Sequence, residues 1–413
     1  MSWELYKLDD VCDVINGGSW TQDEYVSQGV KVIKVSNLVN DGIDESNMSY
    51  LPYESLLVYE KNILKSYDLV VTTVGSHPQL KASAAGRGFV ISPVYEGSLL
   101  NQNTVCIRTK DENILFNRYL GYVGRSDDFR HFIQQTGRGA ANQMRIPISN
   151  IKIYALSLPK LETQKRIASI LSNYDDLIEN NLNRIKLLEE TAQNIYKEWF
   201  VNFRFPNYEH TEFDTESGLP VGWKKKSLNN FDCICQFKEK VKPYIGEKEY
   251  LATANVEGIN ISERGEYFTF ENRPSRAQHL APQESVWFAR MSKTYKVILF
   301  TKTSNSDILL SSGFVGFIPK KSQFLPFLFC LINNKLFFDT KDMFCTGSTQ
   351  VSLNNESINK LIYVEPNEEI ITEFGNKVYP LIEQINKLFE LNQKLKEARD
   401  ILLPRLMNRT IEV

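Results

Sequence analysis

Apolar residues recur along two stretches of the chain with the alternating steps of three and four that mark a helix seam. In the first stretch Leu171, Tyr174, Ile178, Asn181, Ile185, Leu188, Ala192, Ile195 and Trp199 fill the a and d places of four heptads. In the second, Val378, Leu381, Ile385, Leu388, Asn392, Leu395, Arg399, Leu402 and Leu406 do the same, each 207 positions after its counterpart. Two long helices follow, one mid-chain and one at the end. Pro159 opens the first, where its missing N–H costs nothing. The helix then runs to about Phe200, a length of about 60 Å, and Pro206 forbids its continuation. Asn367 before Glu368 and Glu369 caps the second. Pro380 lies inside that register and predicts a kink or break, with the uninterrupted rod beginning near Leu381.

A seam of this kind serves a bundle core, a homodimer zipper or an internal pair, and the duplication favours the internal pair. Antiparallel partners have a constant residue sum. Setting Asn181 opposite Asn392 makes the sum 573, and this also pairs Ile185 with Leu388, Leu188 with Ile385, Ala192 with Leu381 and Ile178 with Leu395. These apolar positions find one another and the two amides meet, which fixes register at a cost in stability. A parallel pairing would set each Asn against an aliphatic side chain.

The stretches between the seams read as strand-rich. Val30 to Val35 and Leu69 to Val74 are β-branched runs bounded by turn residues, and Phe116 to Gln135 has helical spacing. A polar Gly-rich loop, 137–143, precedes an extended Ala155 to Leu158. The pattern then repeats. Trp223 to Leu228 echoes Trp3 to Leu8 at an offset of 220, while Gln350 follows Gln143, and Glu365-Pro366 follows Leu158-Pro159, at 207. The second globular half is therefore shorter by the difference, 13 residues, and the ends that join the helices stay in step. The fold class is α+β with an internal repeat: 1–158, a first helix 159–203, a connector 204–222, a second globular half 223–365 and a second helix 366–406.

Composition narrows the function classes. The 413 residues exceed one core, and 42% hydrophobic with 24% charged residues describes a globular chain. The first ten residues carry no signal-peptide pattern, and the richest apolar run, Phe324 to Ile332, is too short to span a bilayer, so no membrane role is expected and the cytoplasm is the expected compartment. Six scattered cysteines and four histidines show no metal spacing; Cys233 and Cys235 lack a second pair, so no metal is expected. There is no phosphate-binding GxxxxGK[ST] loop, no adjacent proline pair and no Pro-Asp dipeptide, which removes the usual ATPase, amino-methyltransferase and nuclease cores.

The net charge of −2 hides a segregated distribution. Leu69 to Tyr95, Phe129 to Lys152 and Ser285 to Ser306 contain no acid and carry Arg and Lys, as local phosphate contact requires. The plain alternative is a set of solvated loops of chance composition.

Three motifs together resemble the specificity subunit of type I restriction-modification systems. They are Leu158-Pro-Lys-Leu-Glu-Thr-Gln164, Trp199-Phe-Val-Asn-Phe-Arg-Phe-Pro206 and Gly218-Leu-Pro-Val-Gly-Trp223, with Gly-x-x-x-Gln loops ending at Gln143 and Gln350. The resemblance covers the whole chain. It departs at Ile371, where the second helix lacks the family Gln, and at Pro380. The resemblance implies two target recognition domains, each reading one part of a bipartite asymmetric DNA sequence, joined by two long helices forming an antiparallel coiled coil with pseudo-twofold symmetry. It also implies two modification subunits that methylate adenine with S-adenosylmethionine, restriction subunits that use ATP and Mg, and no catalysis or cofactor in this chain. Such systems act in phage defence.

For double-stranded DNA the candidates in the first half are Ser76, His77, Lys81, Arg87, Arg138, Gln143 and Arg145. In the second they are Arg273, Arg276, Arg290, Lys293, Tyr295 and Gln350. Arg and Lys suit guanine edges and phosphates, and Gln suits adenine; each is otherwise a solvated loop or turn residue. Two rival classes stand beside this reading. A coiled-coil scaffold binding proteins through its two halves would lack salt-sensitive DNA binding, and an enzyme with an unrecognised site would methylate alone.

Overall fold

Strand pairing repeats along the chain with the offsets of the sequence. Glu4–Lys7 pairs antiparallel with Ala155–Leu158, Glu4 facing Leu158 and Lys7 facing Ala155. Lys224–Ser227 pairs in the same way with Ile362–Glu365, Lys224 facing Glu365 and Ser227 facing Ile362. First strands differ by 220 and second strands by 207. The computed structural model describes residues 3–39, 42–45, 47–75, 85–140, 143–305, 307–348 and 350–413. It divides into two compact units, Met1–Leu177 with Leu395–Val413, and Ile178–Lys394.

In the first unit a four-stranded sheet has the order Cys12–Asn16, Thr104–Thr109, Leu69–Thr72, Gly88–Val90. The helical spacing over 116–135 becomes two helices, Asn117–Arg125 and Asp127–Thr136, split where the Ser126 hydroxyl accepts from the Phe129 N–H. Their apolar faces bury Tyr119, Leu120, Phe129 and Ile133 against Leu69, Val71 and Ile107. Ile167, Ala168 and Leu171 of the first long helix and Leu403 and Leu406 of the second complete that core.

The second unit has two four-stranded sheets. One runs Ile234–Phe237, Phe314–Pro319, Ser285–Ala289, Val297–Phe300; the other runs Glu266–Phe268, Lys248–Leu251, Ile308–Ser311, Ala277–Leu280. The apolar run near 324–332 is a short helix, Leu325–Ile332, buried along its whole length. Tyr196, Trp199, Phe200, Phe327 and Phe374 form the aromatic centre of its core. Among the described residues no helix is long and apolar enough to cross a membrane.

The first long helix is Leu161–Tyr196, continued by a π-helical turn Lys197–Val201. Pro159 does not open it. The strand partner of Glu4 keeps Leu158 extended, as the residue before a proline prefers, and the Lys160 carbonyl takes the bond from the Gln164 N–H at 3.0 Å. The second helix runs unbroken over Glu368–Met407, so the expected break at Pro380 does not occur. The proline costs about 3 kcal/mol in lost bonding and ring strain. Phe374 and Val378 before it and Ile382 after it are all fully buried in one core, and side chains of that size contribute about 1.5–3 kcal/mol each. Burial on both flanks wins. Asn367 caps the helix, its side chain accepting from the Ile370 N–H at 3.2 Å.

Within the second unit the Asn181 side chain donates to that of Asn392 at 2.8 Å, both buried. Ile185, Ile385 and Leu388 pack together with Leu188 beside them. Rising numbers meet falling ones, so these segments run antiparallel in the expected register. The seam widens towards its ends. Tyr196, Ile382 and Leu403 are buried where Ile195, Leu381 and Leu402 were expected, and the latter three are half-buried, as are Tyr174 and Leu395. The template positions on either side, Val378 and Ile385 around Ile382, Trp199 after Tyr196 and Leu406 after Leu403, stay buried as expected, so the buried face widens locally by one residue. Arg399 meets Asp175 at 2.7 Å within the first unit.

Candidate nucleic-acid interface

In the first unit the Gly-rich loop is a hairpin, Arg138–Ala140 with Gln143–Arg145, Arg138 facing Arg145 and Ala140 facing Gln143. Its second strand pairs with Val74–Gly75, Met144 opposite Gly75. The Ile146 N–H donates to the Thr73 carbonyl at 2.8 Å. The backbone on the return side joins the same place, with Gly86 and Thr72 bonded at 2.9 Å and Thr72 and Arg87 at 3.2 Å. One small sheet therefore gathers the backbone of Arg138, Gln143 and Arg145, and Arg87 is bonded to Thr72 on the adjoining four-stranded sheet. Arg145 is exposed and Arg87 half-buried. Ser76, His77 and Lys81 lie outside the described residues, as do the side chains of Arg138 and Gln143. Not every cation of the acid-free stretch is available, for Lys152 is paired with Asp9 at 3.0 Å.

In the second unit the corresponding loop runs beside 290–293. Thr346 and Ser352 bond to each other, the Ser292 N–H donates to Val351 at 2.9 Å, and the Leu353 N–H donates to the Arg290 carbonyl at 2.8 Å. Leu353 is 207 positions after Ile146, so the same backbone donor anchors both loops. Gln350 and Lys293 are exposed there. Of the other cations in 285–306, Lys296 donates inward to Thr253 at 2.8 Å and Lys302 sits 4.0 Å from Glu284.

The turn that carries Arg290 and Lys293 is held from beneath. Lys341, fully buried, donates to the carbonyls of Met291 at 2.6 Å, Thr294 at 3.2 Å and Ala289 at 3.3 Å. Asp342 accepts from the Lys293 N–H at 3.0 Å, and Lys293 adopts the left-handed backbone at φ +55°. Burial lowers the Lys341 pKa, with Asp342 opposing. Three carbonyls stand in for water around a charge that is otherwise costly to bury.

Arg290 lines a recess of about 340 Å³ with Phe237, Lys238, Lys240, Gln278, His279 and Asn355. Its Nη1 donates to the Leu353 carbonyl at 3.3 Å and the Asn355 side chain at 3.4 Å, and its buried Nε has no partner. Burial alone pulls its pKa down. Burial likewise lowers His279, with the Glu239 carbonyl opposing and Arg290 adding to the shift. Arg276 is exposed close by, its carbonyl accepting from Ser312 at 2.8 Å. Arg273 instead lies over the Phe270 ring at 3.7 Å and bonds to the Phe270 carbonyl. Tyr295 stacks on Phe338 at 4.2 Å between centroids and donates to Asn333 at 2.9 Å.

Sequence reasoning missed Lys238, Lys240, Gln278, His279, Asn355 and Lys341. The alternating Lys238, Lys240 and Lys242 beside Phe237 were a visible signal, but Glu239 broke the acid-free criterion. Nothing local marks Lys341.

Residues 1–190 match the family described as type I restriction modification DNA specificity domain. The MjaIX specificity subunit of a type I restriction enzyme from Methanocaldococcus jannaschii is 25% identical, over 98% of this chain and 92% of the relative. The HindI specificity subunit from Haemophilus influenzae is 22% identical over 99% of each. The crystal structure of a type I restriction-modification S subunit from M. genitalium superposes with a TM-score of 0.54 at 15% identity, covering 98% of this chain and 96% of that one.

Proposed function

Because residues 1–190 match the type I DNA specificity domain and two specificity subunits align along nearly the whole chain, we propose that it is a type I specificity subunit, the non-catalytic reader of a bipartite, asymmetric DNA target. Residues 1–158 and 223–365 each read one part. The two helices form an antiparallel coiled-coil spacer with pseudo-twofold symmetry, and 204–222 connects the halves. The observation that carries this reading is the double occurrence of one loop anchor, the N–H of Ile146 on Thr73 and that of Leu353 on Arg290. Two loops built alike, each beside an acid-poor stretch, suit two readings of one duplex. In this reading two modification subunits supply S-adenosylmethionine chemistry, restriction subunits supply ATP and Mg chemistry, and the complex works in the cytoplasm.

Replacing residues 1–150 by those of a relative, in cells that also express the modification subunits, is the test. Methylome sequencing should show one part of the target changed and the other retained. A change in both parts would overturn the two-reader reading, and DNA affinity indifferent to salt would favour the protein-binding scaffold. Within the first half, alanine at Arg138, Gln143 and Arg145 together should cost about 1–3 kcal/mol per lost base contact and relax the position read. Unchanged affinity in that triple variant would remove all three from the interface.

A further inference from the structure

We propose that the recess around Arg290 is a seat for one backbone phosphate of the bound DNA. This rests on the DNA-recognition reading above and adds to it the chemical group that this site takes. Arg290 is a guanidinium enclosed by protein with one N–H unanswered, and its two hydrogen bonds, to neutral oxygens, are long. Among the described residues no carboxylate lines the recess, whereas Lys238 and Lys240 do, both exposed. Glu239, between them in sequence, lies 3.6 Å from Lys242 and is not part of the lining. Three cations without an acid leave a concentrated positive field over neutral donors from Gln278 and Asn355. A full negative charge suits that field better than the edge of a base.

Arg290 is also poorly set for reading a base. Bidentate readout of guanine needs two free N–H groups in one plane. Here Nη1 is committed and Nε is closed off from solvent, so the guanidinium acts through its charge. An enclosed cation with no counter-charge weakens the free protein, and burial pulling its pKa down reports the same cost. A phosphate at the mouth of the recess supplies the missing counter-charge.

The test uses the full chain and its methylome-defined duplex, with neutral methylphosphonates replacing backbone phosphates one at a time. Arg290→Met should weaken binding on all sequences alike and make the log–log salt slope shallower by about 0.9, the share of one phosphate on duplex DNA. One methylphosphonate position that weakens the wild type should have no effect in the variant. Without DNA, Arg290→Met should melt no lower than the wild type. If Arg290→Met does not fold, the double variant K238Q/K240Q, changed only at exposed lysines, should flatten the slope and lose the same methylphosphonate coupling. Unchanged slope and coupling in the variants, or coupling to a 7-deazaguanine instead of a phosphate, would overturn the seat. So would stabilisation by inorganic phosphate that disappears in Arg290→Met while no DNA position couples, which assigns the recess to a free anion. A wild type whose DNA affinity ignores salt would defeat the wider reading instead.

Discussion

Gln164 and Ile371 stand 207 positions apart at matching places in the two long helices, both buried, with opposite chemistry. Gln164 accepts from the Phe116 N–H at 2.9 Å and donates to the carbonyls of Ile114 at 2.9 Å and Pro159 at 3.0 Å. Ile371 has no polar group and packs among Phe374, Val378 and Ile382. The contrast continues along the helices. Asp175 meets Arg399 in the first unit, and their counterparts at the same offset are Ile382 and Ala192, which share the apolar core of the second. Leu403 and Leu406 of the first unit correspond to Tyr196 and Trp199 of the second. At these matched places the first unit uses directed polar bonds and the second uses apolar and aromatic volume. Wired seats specify geometry; filled seats supply burial.

Exchanging the two chemistries should break each unit in turn. The largest effect is expected for Ile371→Gln, which buries an unpartnered amide in the aromatic core, at a cost of about 4 kcal/mol. Hydrogen exchange should localise the loss to 178–394. Gln164→Ile leaves an N–H and two carbonyls unanswered, worth about 3 kcal/mol, with faster exchange around 114–116 and 159–164. Asn181→Leu strands the Asn392 amide and should cost about 2 kcal/mol in urea unfolding, whereas the double change N181L/N392L should meet or exceed wild-type stability. A double variant no better than the single would show that the amide pair is not coupled.

The smallest effect is at Asp175, which is partly solvated, and it depends on pH. Burial pushes its carboxyl up, but Arg125 and Arg399, with a bond from the Tyr122 hydroxyl, hold it below the usual carboxylate range. A depressed folded-state pKa means the stabilisation is complete above about pH 4, the unfolded value, and is lost as pH falls through the lower folded one. Asp175→Asn should therefore cost about 1 kcal/mol at neutral pH, and its melting curve should converge with the wild type in acid. Ile382 and Ala192, the counterparts of Asp175 and Arg399 in the core of the second unit, have nothing to titrate, so substitution there should shift stability equally at all pH values.

The repeat was legible because it is carried by residues whose spacing survives in any register. The offsets of 220 and 207 reappear as strand partners, and Asn181 and Asn392 could be paired because an amide in an apolar seam has few alternatives. The heptad template misplaced Leu381, Ile195 and Leu402 because the globular cores bury the next residue at each place, Ile382, Tyr196 and Leu403, and those cores are not visible in the helix pattern. Pro380 was misjudged because local propensity is visible in sequence while the burial that overrides it, at Val378 and Ile382, comes from chain segments far away. The Arg290 recess was hidden for the same reason. Its walls come from residues near 236, 278, 312 and 355, and only the fold brings them together.

Lys341 bears on how the proposed reader changes over time. Its ammonium sets the shape of the 289–294 turn during folding, so little ordering entropy remains to oppose association with a ligand. A rigid turn tolerates few conservative edits. Replacing one of its residues disturbs the carbonyls that solvate the buried charge, and replacing the lysine frees the turn without giving it a new shape. Under the proposed function, altered preference through the second unit is therefore reached more readily by acquiring turn, clamp and neighbouring loop as a block than by single steps.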